Sequence, residues 1–180
     1  MTRVAIGLKV ALGALVLFAL THLEWERFAD KAMTARAVLY PAAAAIVPLV
    51  WLAARRRFAY PAATDALLVT PFVVDLAGNA LDLYDSLSWF DDACHLVNWA
   101  ILTLAVGLPI ARRCGPWVTL GLCVGFGATT ALVWEVGEYG AFILETPESV
   151  TAYRDTIGDM TLGLSGAVVA GLLCARRARR

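Results

Sequence analysis

Six long apolar stretches constrain this chain more than any other feature. They cover residues 4–23, 35–54, 62–83, 92–111, 117–144 and 156–175. A hydrocarbon core about 30 Å thick takes about 20 helical residues to cross, so each stretch is span-length. Backbone polar groups in lipid must be satisfied within the protein, which leaves helices or closed barrels, and the stretches lack the short alternation of barrel strands. The predicted fold is therefore all-α, a polytopic membrane protein with six transmembrane helices in one domain over residues 1–180. Six such spans use roughly 120 positions and leave connections too short to fold alone. A hydrophobic content of 60% and a mean hydropathy of +0.69 agree. They exclude a soluble enzyme, a nucleic-acid binder and a secreted disulfide scaffold. The first stretch carries Arg3 and Lys9 at its start and no small-x-small cleavage site after it, so it reads as a retained span.

Basic residues orient the spans. Arg3, Lys9, Arg55, Arg56, Arg57, Arg112, Arg113, Arg176, Arg177, Arg179 and Arg180 put eleven of the fifteen positive charges on one side. Arg27, Lys31, Arg36 and Arg154 fall on the other. The positive-inside rule then makes both termini and the second and fourth connections cytoplasmic, in a bacterial inner membrane. Asp65 is expected to meet water at the inner boundary, and His22 to lie at the outer interface.

Small residues at four-residue spacing predict close helix contacts: Gly121 with Gly125 on the fifth span, and Gly163, Ala167 and Gly171 on the sixth. Pro41 and Pro48 are expected to bend the second span, and Pro71 to free a carbonyl in the third. Cys94, Cys114, Cys123 and Cys174 show no metal or redox spacing and read as packing residues.

Ionisable side chains inside membrane helices are costly and mark partners, cavities or pathways. Here they cluster. The third span carries Asp75, Asn79 and Asp82 on one face, and the fourth opens with Asp91, Asp92 and His95. The fifth bears Glu135 and Glu138, and the sixth opens with Arg154, Asp155 and Asp159. With the assigned orientation all of these fall in the outer half of the bilayer, so four helices point carboxylates at a common depth beside one imidazole. Three readings compete. A divalent cation, Mg²⁺, Mn²⁺, Ca²⁺ or Zn²⁺, turns the repulsion into ligation, with His95, Asp92, Glu138 and Asp159 as metal ligands. A proton or cation pathway uses the same groups. A purely architectural network satisfies them with neighbouring polar side chains. Asp75, Asn79, Asp82, Asp91 and Arg154 complete the expected pocket.

The motifs Leu-Asp-Leu-Tyr-Asp (81–85), Asp-Asp-Ala-Cys-His (91–95), Trp-Glu-Val-Gly-Glu-Tyr (134–139) and Tyr-Arg-Asp-Thr-Ile-Gly-Asp-Met (153–160) resemble those of the YjdF family. A more distant similarity is to VanZ-like proteins, which have Asn after the last Asp near the place where Leu162 stands here. The resemblance covers about residues 75–171. It implies an inner-membrane helical bundle and supports the site without assigning a reaction.

The functional expectation is a metal-dependent hydrolase or transferase acting on a lipid or lipid-linked substrate near the outer leaflet, with Glu135 or Asp155 as the base. Membrane lipids are the expected partners, nucleic acid is not, and a homo-oligomer is compatible with the sequence. A small transporter or an envelope accessory protein is the alternative.

Overall fold

The helices begin and end where simple signals put them. Pro116 occupies the first position of its helix after Gly115, where its missing N–H costs nothing. Asp91 and Asp92 sit in the first turn of another helix, and Arg176 and Arg177 in the last turn of a third, each matching the helix macrodipole. The computed structural model describes residues 2–54, 57–144 and 146–178. Of the basic residues used for orientation, Arg55, Arg56, Arg179 and Arg180 lie outside the described residues.

The described residues are helical, with no strand among them. The elements are α1 (Thr2–Leu20), α2 (Met33–Ala53), α3 (Ala62–Ala80), α4 (Leu83–Ser86), α5 (Phe90–Ala111), α6 (Pro116–Glu138) and α7 (Ala152–Ala178). A π-helical turn, Tyr139–Ile143, continues α6. Helix α2 runs on through Pro41 and Pro48, and α3 through Pro71.

Among the described residues, five helices are long and apolar enough to cross a membrane: α1, α2, α5, α6 with the start of its π turn, and α7. Helix α3 matches α1 in length, at 19 residues, but Asp65, Asp75 and Asn79 lower its apolarity. The chain forms two compact units, Met1–Leu87 and Ser88–Arg180. In the first, α1, α2 and α3 pack on one another; in the second, α7 packs along both α5 and α6.

Side chains are sorted by size in a way that suits lipid. Small residues make up much of the interior, with Ala5, Ala105, Ala131, Ala167, Ala170, Cys123, Cys174, Thr103 and Thr119 buried beside larger groups such as Leu12, Val69 and Leu76. Val10, Val38, Trp117 and Val133 are exposed by 65% or more. Water would punish that arrangement, whereas lipid tails accept large apolar groups and helices gain contact by bringing backbones close.

In the second unit the close approaches are specific. A Cβ on Gly166 would lie 2.2 Å from the Leu96 carbonyl oxygen, and one on Gly127 2.2 Å from the Ala167 Cβ. A Cβ on Gly163 would meet the Trp99 ring at 2.8 Å, so the missing side chain is what seats that indole. The expected stripe of Gly163, Ala167 and Gly171 thus lies in contact. The expected pair Gly121 and Gly125 does not, for nothing lies within 4 Å of a Cβ at either position. Spacing reports a shared face, and here the contacting face of α6 carries Gly127 and Ala131 instead.

Candidate functional site

His95 is the centre of the polar cluster in the second unit. It lies one turn into α5, so Asp91 at i−4 shares its face and the positive helix terminus favours both acidic residues of that first turn. The imidazole is buried between α5, α6 and α7 and has carboxylates at both ends. Its Nε2 lies 3.6 Å from Asp91 Oδ1 and 3.7 Å from Asp159 Oδ1; its Nδ1 lies 3.5 Å from Glu135 Oε1. Two sets of donor atoms result, Asp91–His95–Asp159 and His95–Glu135–Glu138, each with its atoms within 4.8 Å of one another.

These separations exceed the 2.7–3.2 Å of an N–H···O hydrogen bond. The two at Nε2 suit atoms that share an ion, since two donors each about 2.1 Å from a tetrahedral centre stand about 3.4 Å apart. A second observation points the same way. Glu135 is only 3% exposed, and its Oε1 accepts no hydrogen bond among the described residues. A buried acceptor left without a donor costs about 1–3 kcal/mol, more if charged.

Three helices, not four, supply this cluster. Asp92 is exposed and belongs to neither set of donor atoms; its neighbour Asp91 takes the place beside Nε2. Glu138 is half-buried and belongs to the second set, Asp159 is buried, and Asp155 and Arg154 are exposed at the start of α7.

The residues of α3 belong to other centres, in the first unit. Asp75 is held by Arg36 Nη1 at 2.6 Å and by the hydroxyls of Tyr40 and Tyr84 at 2.7 and 3.0 Å. Asn79 is spent on the Asp75 carbonyl, and Asp82, at φ 61°, begins α4 and accepts from Ser86 through its backbone oxygen. Arg36, read from sequence as an outer charge, is buried in that network. Asp65, expected at a wet boundary, is 1% exposed: Lys9 Nζ approaches it at 2.8 Å and the Tyr60 hydroxyl at 2.5 Å. Burial, then the hydrogen bond to Asp65 and the charge of that carboxylate, push the Tyr60 phenol well above its ordinary value. The partners that sequence reasoning missed, Lys9, Arg36, Tyr40, Tyr60 and Tyr84, come from distant positions and carry no local signal.

A family model described as "Predicted membrane protein (DUF2238)" matches residues 8–180, and the YjdF-like resemblance is to this same family. No curated protein and no solved structure matches the chain.

Proposed function

This chain belongs to the DUF2238 family of membrane proteins, and we propose that it is a six-span inner-membrane protein that binds a divalent cation at His95. With that cation it catalyses hydrolysis or group transfer on a lipid or lipid-linked substrate. Helix α3 is the sixth span on this reading, because Lys9 and Arg36 neutralise its Asp65 and Asp75 and so lower the cost of taking them into the bilayer. The positive-inside distribution puts both termini in the cytoplasm. It therefore sets the first turns of α5 and α7 and the end of α6, with the site between them, toward the outer leaflet.

The single observation that carries the reading is the buried His95 imidazole, whose Nε2 stands 3.6 Å from Asp91 and 3.7 Å from Asp159 while its Nδ1 faces a buried Glu135 oxygen that needs a donor, as a ring ligating a cation through Nε2 supplies. When bound, a divalent cation there polarises a carbonyl or phosphoryl oxygen and acidifies a bound water. The chain's own contribution is to hold that centre between three helices and to admit substrate where Asp91 is half-exposed. Asp155, exposed and one turn before Asp159, is the side chain able to take a proton from an attacking water. Transport is the weaker reading. Among the described residues of α5, α6 and α7, His95, Glu135 and Asp159 are the buried ionisable groups, and Thr103, Thr119, Cys123 and Cys174 line the interior beyond them.

The test is the metal content of the tag-free, full-length protein purified in detergent. One equivalent of a divalent ion is expected in the wild type and none in His95→Ala. A wild-type protein that retains no metal after incubation with each candidate ion refutes the proposal.

A further inference from the structure

The imidazole of His95 has two unlike ends, and the difference assigns the metal to one of them. On the Nε2 side stand Asp91, whose side chain is 46% exposed, and Asp159, which is buried. That side has two carboxylate oxygens and access to water, as a catalytic metal site requires if it is to keep an open position. On the Nδ1 side stands Glu135, buried and without a hydrogen bond at the oxygen that faces the ring. An imidazole that ligates through Nε2 carries its proton on Nδ1 and needs an acceptor there; Glu135 is an acceptor that needs a donor. A shift of about 0.5 Å would bring the 3.5 Å contact to hydrogen-bond length and satisfy both.

Resting on the cation-binding reading above, we infer that the metal is bound by His95 Nε2 with Asp91 and Asp159, and that Glu135 is a positioning residue holding the Nδ1 proton. The arrangement is a carboxylate–histidine–metal relay, in which the outer carboxylate fixes the tautomer and strengthens the imidazole as a ligand. The donor set also narrows the ion. Mg²⁺ and Ca²⁺ take oxygen ligands, and an imidazole as one protein ligand in three favours a borderline first-row ion such as Zn²⁺, with the harder Mn²⁺ next because two carboxylates complete the set. Glu138, near Glu135 and half-buried, adds negative charge on the Nδ1 side without entering the coordination shell.

Calorimetric titration of the metal-free, tag-free chain in detergent with Zn²⁺, Mn²⁺, Mg²⁺ and Ca²⁺ tests the assignment. The expected result is one equivalent of Zn²⁺ or Mn²⁺ that excess Mg²⁺ or Ca²⁺ does not displace. Asp91→Ala and Asp159→Ala lose binding, whereas Glu135→Gln keeps the stoichiometry with an affinity about 10- to 100-fold lower. A variant-free readout guards against folding defects: the Co²⁺-substituted wild type shows one exchangeable, hyperfine-shifted proton from Nδ1–H, and Glu135→Gln speeds its exchange. Loss of binding in Glu135→Gln with unchanged affinity in Asp91→Ala places the metal on Nδ1 and overturns the inference alone. So does binding of two equivalents, or an oxygen-preferring ion held in place of Zn²⁺ and Mn²⁺. A wild type that binds no ion overturns the inference together with the reading it rests on.

Discussion

Gly166 holds α7 against α5 more tightly than any side chain allows, and replacing it tests whether that approach builds the His95 site. In Gly166→Ala the new Cβ falls 2.2 Å from the Leu96 carbonyl oxygen and 3.0 Å from the Ala100 nitrogen. Both are backbone atoms within a helix, so neither can swing aside. Ordinary contact begins near 3.4 Å, so the two helices must part by about 1.2 Å at this point. Overpacking of this kind costs about 1–3 kcal/mol. Leu96 is the residue after His95, and Asp159 lies two turns before Gly166, so the same displacement widens the Nε2–Asp159 separation of 3.7 Å. Metal affinity should then fall at least tenfold, about 1.4 kcal/mol. The matched control is Gly121→Ala, which meets nothing within 4 Å and removes a helix-weakening glycine. Thermal unfolding in detergent, followed by circular dichroism, should show Gly166→Ala destabilised and Gly121→Ala unchanged or slightly stabilised. Equal stability and equal metal affinity in the two variants would refute the packing argument.

Other outcomes follow from the remaining polar centres. Asp75→Leu takes the carboxylate away from the buried guanidinium of Arg36 and from two tyrosine hydroxyls, and should cost about 3–5 kcal/mol, with much of the loss recovered in Asp75→Leu/Arg36→Met; a double variant no better than the single one would argue against the ion pair as the cause. Lys9→Met leaves the Asp65 carboxylate with the Tyr60 hydroxyl alone among the described residues, and because Lys9 is partly exposed the cost should be smaller, about 2 kcal/mol by denaturant titration. Tyr60 should stay protonated through the range in which ordinary tyrosines ionise, about pH 10, so Tyr60→Phe should not change the tyrosinate absorbance gained there. Metal affinity at His95 should weaken as pH falls, since protons compete for the imidazole and the carboxylates, and a flat profile would point to ligands other than His95.

The helices were legible because a bilayer asks little of a sequence beyond length and apolarity. The six stretches read from the chain coincide, within a few residues at most ends, with α1, α2, α3, α5, α6 and α7. That His95, Glu135 and Asp159 are ionisable groups within apolar helices was legible as well, because such a group is conspicuous there. What could not be read was rotation and reach. Asp91 and Asp92 stand at i−4 and i−3 from His95, and helical spacing admits both; only the packing of α7 on α5 turned Asp91 inward. The same rotation chose Gly127 over Gly121 and Gly125 on α6.

Asp75 looked like a member of the outer cluster and Asp65 like a residue at the wet inner boundary until long basic side chains from α2 and α1 were seen to close on them. Arginine and lysine span several ångströms on flexible stems, so their partners leave no trace in local sequence. By itself, then, the chain determined that it is helical, lipid-embedded and marked by buried charge, since those follow from composition and period. Tertiary structure alone decided which charges neutralise one another and which are left around an imidazole, because that depends on helix rotation and on contacts between residues far apart in sequence.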